Sequence, residues 1–461
     1  MGKLFTNRVS STLFLLLLPI LLSGCAKGFF GGEKGLFPGG GGGETVAADT
    51  TKISAKDLPA TALNRETCAP FPASPIKDTI LSQLINLQNP EDLMPISSLK
   101  QPGSTRSNKG TGVSKSEKEN RSADFSYHDA VLTEDTVWHG TVVVEDAVTV
   151  AAQTTLVVES GTVVKFRGTA EANGKSSLMV LGRLVVKGAD HSPVIFSTMN
   201  PDLSDGDWLG IVLTGSGKKN LIENCRVEGA VTGIDASFST VTMKNVVFTK
   251  CRSGARLQNT LTVIDGLKAG ECGAGLILYD CEADVRDANF FGNRLGLFAS
   301  RTSLSLAQTR LCGNNLSALV AQKCRIDINN NSFSANGNGL TLVECEGSLS
   351  ANRVARNASY GVVLKGSRVK INGNDIEENA KVGLRTEDGQ GVAWGNALFD
   401  NGEYDLYNGG TEEFRAIGNW WGDSPTTSIA SRIYDRSVDG SRGRVLFFPP
   451  LQKRPNNVSQ P

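Results

Sequence analysis

The chain of 461 residues is poor in the residues that build metal and redox centres. It contains three histidines, His128, His139 and His191, and none of them is paired at ligand spacing. The nine cysteines form no CxxC and no CxxCH motif, so a zinc ribbon and a haem attachment site have no support. The five methionines are scattered along the chain. We therefore predict no metal-binding residues and no resident cofactor.

The sequence also lacks an excess of one charge. Lysine and arginine together number 47, and aspartate and glutamate also number 47. This balance gives no electrostatic argument for a nucleic-acid partner. The repeating part shows no 3.6-residue apolar period, which argues against helical repeats.

What the sequence does contain is a repeat of twenty-one to twenty-three residues. Each unit opens with a period-two apolar alternation, as in Leu276/Leu278 and Leu340/Leu342, which indicates a strand. A second short alternation and a third apolar contact follow, and turns separate them. Three strands in about twenty-two residues are typical of one coil of a parallel β-helix. We predict an all-β, single-stranded parallel β-helix (solenoid) of about a dozen coils.

Asparagines recur at two places in successive coils. Asparagine tolerates unusual turn conformations, and amides stacked along a solenoid can bond from coil to coil. We therefore predict a structural role for both columns rather than ligand binding. The first column is predicted to hold Asn293, Asn315, Asn336, Asn357, Asn379 and Asn401, and the second Asn330, Asn352, Asn374 and Asn396.

The two ends of the repeat carry a family resemblance. The entry reads "ESGTVVKF", the exit reads "GNWWGDSP", and "GRVLFFPPL" follows. This pattern resembles right-handed parallel β-helix proteins of the pectin-lyase-like superfamily over about residues 130–450, and more closely bacterial envelope proteins with such an entry and exit. The resemblance implies the right-handed fold. It does not choose a function, because this scaffold hosts lyases, hydrolases, adhesins and binding proteins.

The N-terminus has the pattern of an export signal. A basic region with Lys3 and Arg8 precedes an apolar run from Leu13 to Leu22, which is short for a membrane-spanning helix. The following "LSGC" resembles a bacterial lipoprotein signal, which implies lipidation of Cys25. Since Ala26 rather than aspartate follows, the resemblance implies an outer-membrane lipoprotein, facing the periplasm or the surface.

The composition then predicts the order of segments. The Gly-rich and polar stretches read as flexible, whereas "SPIKDTILSQLINL" has an N-cap, a proline at the first helical position and one apolar face. The predicted parts are a signal peptide (1–24), a flexible tether (25–73), a possible short helix segment (74–100), a disordered linker (101–123), the β-helix with its caps (124–450) and a tail (451–461).

Two pairs of cysteines occupy matching positions in neighbouring coils. Cys251 and Cys272 form one pair, and Cys324 and Cys345 form the other. Matched Cα atoms in adjacent coils lie about 4.8 Å apart, which is within disulfide range. An exported chain meets an oxidising compartment, so disulfides are possible. Stacked columns of small buried thiols are the alternative.

Candidate catalytic residues are few. Polygalacturonase-like relatives carry GHD and RIK motifs, and neither occurs here. Pectate-lyase-like relatives need a carboxylate cluster for Ca²⁺ and an arginine or lysine base. The nearest outward groups are Lys365, Arg385, Glu387 and Asp388, and then Asp235 with Arg256. Opposite charges on adjacent coils more often form a cross-strand ladder.

An outward row on the first strand of each coil is unusually apolar. It is predicted to contain Ile277, Phe298, Leu319 and Val363, with Tyr279 and Val343 in the next outward row. A contiguous exposed apolar patch usually marks an interface. Three occupants are open: the helix at 74–87, a partner protein or second copy, and a sugar stacked on Phe298 and Tyr279.

These observations predict a lipid-anchored cell-envelope protein with a non-catalytic binding or scaffolding role toward a glycan or protein partner. A polysaccharide lyase or glycoside hydrolase is the alternative, and a lyase would use Ca²⁺. A periplasmic accessory protein for metal-site maturation is the second alternative. Some proteins with this fold assist the maturation of the copper site in nitrous oxide reductase. Such a role would favour soft ligands or methionine clusters.

Overall fold

The structure, a computed structural model, describes residues 86, 90, 123–168, 176–422 and 425–456. The predicted signal peptide, the tether and nearly all of the predicted linker lie outside the described residues, as does the predicted helix at 74–87 apart from Asn86. No helix within the described ranges is long and apolar enough to cross a bilayer.

The described chain is built almost entirely from short strands. The entry strands are β1 Phe125–Tyr127, β2 Ala130–Leu132, β3 Thr136–Trp138, β4 Thr141–Val144, β5 Ala147–Val150, β6 Thr155–Glu159, β7 Val163–Phe166, β8 Ser177–Val180, β9 Arg183–Lys187, β10 Val194–Thr198, β11 Trp208–Thr214, β12 Lys219–Glu228, β13 Ala230–Ser237 and β14 Thr240–Thr249. The central strands are β15 Ser253–Gln258, β16 Leu261–Asp265, β17 Lys268–Gly270, β18 Ala274–Tyr279, β19 Glu282–Arg286, β20 Asn289–Phe291, β21 Leu295–Ser300, β22 Ser303–Ala307, β23 Arg310–Cys312, β24 Ser317–Gln322, β25 Arg325–Asn329, β26 Ser332–Ser334, β27 Asn338–Val343, β28 Glu346–Ser350, β29 Arg353–Ala355, β30 Tyr360–Lys365, β31 Arg368–Asn372 and β32 Asp375–Glu377. The exit contains β33 Val382–Glu387, β34 Val392–Trp394, β35 Ala397–Phe399, β36 Tyr404–Asn408, β37 Phe414–Arg415, α1 Thr426–Ile429, a 3₁₀ turn Ala430–Arg432, β38 Ile433–Tyr434 and β39 Val445–Leu446.

These strands form two long parallel sheets. A 25-stranded sheet, here called sheet 1, takes two strands from each regular coil, and a 14-stranded sheet, called sheet 2, takes one. Each strand pairs in parallel with its equivalent one coil later, so that Leu276 of β18 lies beside Leu297 of β21. The fold is an all-β parallel solenoid of about 13 coils, which confirms the predicted fold class.

The inward side chains form one continuous core along the rod. Leu276, Leu297, Leu340, Val362 and Leu384 are all 0 % exposed and stack through sheet 2. Burying each such side chain contributes roughly 1.5–3 kcal/mol. The predicted period-two alternation therefore reflects a core that is shared between neighbouring coils.

The glycine that recurs near the start of the sheet 2 strands has a steric reason. A Cβ atom at Gly275 would lie 2.6 Å from the carbonyl oxygen of Gly296, and one at Gly339 would lie 2.3 Å from that of Gly361. Carbonyl groups of the next coil occupy the space a side chain would need. Close stacking of coils therefore selects glycine at this position.

Both asparagine columns are hydrogen-bonded ladders inside the rod. The Nδ2 of Asn336 donates to Oδ1 of Asn357 at 3.1 Å and to the carbonyl oxygen of Leu311 at 3.0 Å, and the pattern repeats in the next coils. The predicted structural role is confirmed, but two positions were wrong by one residue. Asn314 and Asn331 are the ladder members, and Asn315 and Asn330 lie beside the ladders.

Cys251, Cys272, Cys324 and Cys345 are buried free thiols, which agrees with the stacked-thiol alternative rather than with disulfides between coils. Their positions have a different explanation. The backbone N–H of Cys272 donates to Oδ1 of Asn293 at 2.9 Å, so Cys272 continues the first asparagine ladder toward the entry. Cys324 and Cys345 lie in another column of turn residues, where the backbone N–H of Cys345 donates to Oγ of Ser367 at 3.0 Å. Burial raises the pKa of Cys272, which keeps it protonated.

The exit motif closes the second ladder. Asn419 accepts the amide of Asn396 at 2.8 Å and donates to the carbonyl oxygen of Ala393 at 2.9 Å. Trp420 and Trp421 are 7 % and 3 % exposed and cover the last coil. The aromatic side chains therefore cover a core that has no further coil to stack on.

Candidate functional site

The outer side of sheet 2 carries the row of side chains that the sequence singles out. In register along the rod it runs Val212, Asp235, Arg256, Ile277, Phe298, Val320, Thr341, Val363, Arg385, Tyr407 and Tyr434. One predicted member is wrong, because Leu319 faces inward and packs in the main core between Leu297 and Leu340. Val320 takes its place.

The apolar half of this row is not an open surface. Ile277, Phe298 and Val363 are 0 %, 1 % and 0 % exposed, although they point away from the core. Val343 is 9 % exposed and Tyr279 is half-buried. Since the ring of Phe298 is covered, it cannot stack on a sugar. We call the cluster of Ala274, Ile277, Leu295, Phe298 and Val320 the apolar face.

Toward the exit the same side of sheet 2 becomes aromatic and charged. We call this set the tyrosine–arginine patch: Tyr360, Arg385, Glu387, Tyr404, Tyr407 and Tyr434. Tyr407 and Tyr434 are register neighbours and stack with ring centroids 4.3 Å apart at 9°. Tyr404 meets both rings edge-on, at 6.1 and 5.4 Å. Parallel pairing therefore sets three tyrosines side by side on adjacent coils.

A single arginine organises the patch. The guanidinium of Arg385 lies 4.8 Å from the ring centroid of Tyr407 and 5.4 Å from that of Tyr360. Its Nε donates to Oε1 of Glu387 at 2.9 Å and its Nη1 donates to the hydroxyl of Tyr360 at 3.3 Å. Cation–π contacts of this kind contribute about 0.5–2 kcal/mol each. The rings and the carboxylate hold the guanidinium in one orientation.

The electrostatics keep both groups in fixed protonation states. Burial lowers the pKa of Arg385, but the hydrogen bond and charge of Glu387 outweigh burial and leave that pKa raised. Burial also raises the pKa of the Tyr407 hydroxyl. At neutral pH the hydroxyl of Tyr407 is therefore neutral, and it lies beside an ion pair whose charges cancel. Arg385 and Glu387 each keep 22 % of their side chains exposed, so a ligand can still reach them.

The structure brings together some of the predicted acid–base candidates. Lys365 is the register neighbour of Glu387, whereas Asp388 is exposed in the turn that follows. Asp235 and Arg256 are adjacent across coils and form a bidentate ion pair, with Nε to Oδ1 at 3.1 Å. Asp235 and Arg256 form a cross-strand pair, and Arg385 and Glu387 pair within one strand. Among these candidates the structure brings no unpaired acid and base together.

A concavity lies at the exit cap. Its volume is about 640 Å³, and it is lined by Phe399, Asp400, Asn401, Asp405, Trp420, Trp421, Gly422 and Arg432. Asp405 accepts the amide of Asn401 at 2.9 Å and pairs with Arg432 at 3.1 Å, so it ends the first ladder. These residues serve the cap.

Metal ligation has no support in the part of the chain that the structure describes. No group of three or more histidine, cysteine, aspartate or glutamate side chains comes close enough there to hold an ion. The Ca²⁺ site that a lyase would need is therefore not formed by Glu387 and Asp388 with their described neighbours.

Sequence reasoning missed most of the patch. It named Arg385 and Glu387 as candidate catalytic residues. It did not connect them with Tyr360 or Tyr434. Tyr434 lies in the cap beyond the last full repeat, so no period could align it with Tyr407.

Comparison with known proteins agrees with the architecture. Residues 209–434 match the family model of the periplasmic copper-binding protein NosD, and residues 130–263 match that of a pectate-lyase-like beta helix domain. No curated protein matches the chain significantly.

Solved structures show weaker likenesses. The periplasmic alginate epimerase AlgG is 13% identical, with a TM-score of 0.36 over 68% of this chain and 74% of that one. The A-module of the Azotobacter vinelandii mannuronan C-5 epimerase AlgE4 is 14% identical, with a TM-score of 0.34 over 69% and 90%. At these values neither likeness bears on function. By its fold, the chain is a parallel β-helix protein, and two of its segments are similar to the two family models.

Proposed function

We propose that this protein binds a polysaccharide of the cell envelope on the tyrosine–arginine patch and does not cleave it. The observation that carries this proposal is the cluster of Tyr404, Tyr407 and Tyr434, with Arg385 against the ring of Tyr407. Because Tyr407 lies between Arg385 and Tyr434, a sugar would meet the half-exposed surfaces of Tyr404 and Tyr434, while hydroxyl, guanidinium and carboxylate groups bond to sugar hydroxyls. A polymer lying along the rod would meet equivalent positions on successive coils.

The pairing of charges favours binding over catalysis. A carboxylate that acts as a general base must be unpaired and within reach of the proton that it removes. A general acid must likewise lie within reach of the group that it protonates. Glu387 is instead held by Arg385 at 2.9 Å. Lys365, Lys381 and Asp388 border the patch, so both neutral and acidic polymers belong in a test.

Tyr407→Ala tests the site. Because Tyr407 contacts both Arg385 and Tyr434, its loss should weaken polysaccharide binding about tenfold, which corresponds to roughly 1.4 kcal/mol. Affinity electrophoresis against a panel of neutral and acidic polysaccharides measures the change. Trp394→Ala is the matched control, since Trp394 is an aromatic side chain 41 % exposed on sheet 1. Retained binding in Tyr407→Ala, or equal loss in both variants, would contradict the proposal.

The location is part of the same proposal. An export signal followed by a lipidated Cys25 would hold the rod at the outer membrane, since two or more acyl chains anchor stably. Cys25→Ser should move the protein from the membrane pellet to the soluble fraction without changing its thermal stability. A variant that still sediments with membranes after a high-salt wash would show that another feature anchors the chain.

A role in metal-site maturation is the second candidate, and the match of residues 209–434 to the NosD model favours it. Copper prefers soft sulfur and imidazole ligands. Titration of the reduced protein with Cu(I) separates the two candidates. Stoichiometric tight binding would favour the metal role, and its absence would leave polysaccharide binding as the function.

A further inference from the structure

The apolar face is buried although it points away from the core. Ile277, Phe298 and Val320 are 0 %, 1 % and 0 % exposed. Leu261 and Val263 occupy comparable outward positions on sheet 1, with strand neighbours on both sides, and they remain 50 % and 47 % exposed. Neighbouring strands alone therefore do not bury an outward side chain. Some part of the chain must lie on the apolar face.

A disulfide beside this face indicates which part it is. Cys312 is disulfide-bonded, and it ends β23 four residues before Leu316, which packs against the apolar face. Six of the nine cysteines are buried free thiols: Cys225, Cys251, Cys272, Cys281, Cys324 and Cys345. Only Cys25 and Cys68 are left as partners for Cys312.

Two observations favour Cys68. Residues 64–461 form one compact unit that includes the β-helix, whereas residues 1–63 form a separate unit. Cys68 belongs to the first unit and Cys25 to the second. In addition, lipidation would use the sulfur of Cys25 in a thioether, so that it could not join a disulfide.

The sequence that follows Cys68 suits the apolar face. Ile76, Ile80, Leu84 and Leu87 recur at helical spacing, so they would share one side of a helix. Pro90, which is described, is buried.

We propose that Cys68 and Cys312 form a disulfide, and that residues 74–90 pack on the apolar face as its permanent occupant. The thiols of Cys68 and Cys312 would together give two protons and two electrons to the disulfide of an oxidising protein in the compartment to which the chain is exported. That disulfide would be reduced to a dithiol. The apolar face would then be unavailable to partners, and the tyrosine–arginine patch would remain the open part of sheet 2.

Peptide mapping under non-reducing conditions tests the disulfide. The wild-type chain should yield a peptide that joins Cys68 to Cys312. In the Cys25→Ser variant, the thiol count under denaturing conditions should be six, rising to eight after reduction. Adding Cys68→Ser or Cys312→Ser should give seven thiols before and after reduction. A link between Cys25 and Cys312, or a count of eight without reduction, would overturn the proposal.

The packing is tested separately in the full chain. Leu84→Asp would place a charge against the apolar face, whereas Ser82→Asp would place it on the opposite side of the predicted helix. Leu84→Asp should raise amide exchange in β18 and β21 and increase the fluorescence of an apolar dye several-fold, and Ser82→Asp should change neither. If the two variants behave alike, residues 74–90 are not the occupant. Polysaccharide binding on the tyrosine–arginine patch does not depend on this outcome.

Discussion

Phe298→Asp should destabilise the protein by about 4 kcal/mol, because it removes a buried ring and buries an unpaired carboxylate in its place. Phe298 is 1 % exposed and packs with Ile277 and Val320. Phe→Ala changes in cores alone cost about 3–5 kcal/mol. The measurement is the midpoint of thermal or urea unfolding. Since a solenoid can unfold in parts, the first transition should be followed.

Phe238→Asp is the matched control for this experiment. Phe238 is 66 % exposed and adopts a positive φ of 50°, a conformation that aspartate tolerates better than phenylalanine. Its replacement should change stability by less than about 0.5 kcal/mol. If Phe298→Asp is as stable as the wild type, the apolar face is open to water, and the proposed occupant is wrong.

Asn314→Ala should cost about 3–4 kcal/mol, because it breaks a fully buried ladder. Oδ1 of Asn314 accepts the backbone N–H and the Nδ2 of Asn293 at 3.2 and 3.0 Å. Its Nδ2 donates to Asn336 at 2.9 Å and to the carbonyl oxygen of Phe290 at 3.1 Å. Each buried group left without a partner costs about 1–3 kcal/mol. Chemical denaturation measures the loss.

The neighbouring residue supplies the control. Asn315 is half-buried, lies beside the ladder and donates only its backbone N–H, to Asn293. Asn315→Ala should therefore stay within about 1 kcal/mol of the wild type. Equal losses of stability in Asn314→Ala and Asn315→Ala would mean that an asparagine in the ladder stabilises the rod no more than a turn residue beside it.

The fold could be predicted because each coil must repeat the same core and turns. Leu276, Leu297 and Leu340 recur at the period of one coil, and glycine marks the close approach of coils. The prediction failed by one residue where the repeat is irregular. Ala318 takes the place of the usual glycine, between Gly296 and Gly339, and "LSALVAQK" then offers two registers. The wrong register predicted that Leu319 faces outward, whereas Val320 is the residue that does.

The site was harder to predict, because it depends on contacts that no period describes. Tyr434 reaches Tyr407 through the cap strand β38, which follows α1 and the 3₁₀ turn rather than another coil. Cys312 was not singled out, because its neighbours in the column are Phe291 and Ser334 rather than cysteines. The Cys251/Cys272 and Cys324/Cys345 pairs have the spacing of a disulfide between coils, yet all four are free thiols. For Cys272, burial raises the thiol pKa, and its backbone N–H donates to Oδ1 of Asn293.

Binding without cleavage is the central claim, and one incubation tests it most directly. The protein would be mixed with neutral and acidic polysaccharides in the presence of Ca²⁺, and the polymers would be analysed for chain length and sugar composition. The account predicts retention of at least one polymer, dependent on Tyr407, with length and composition unchanged. Shortened or chemically altered chains would contradict it, and would make Lys365, Arg385, Glu387 and Asp388 the first residues to replace.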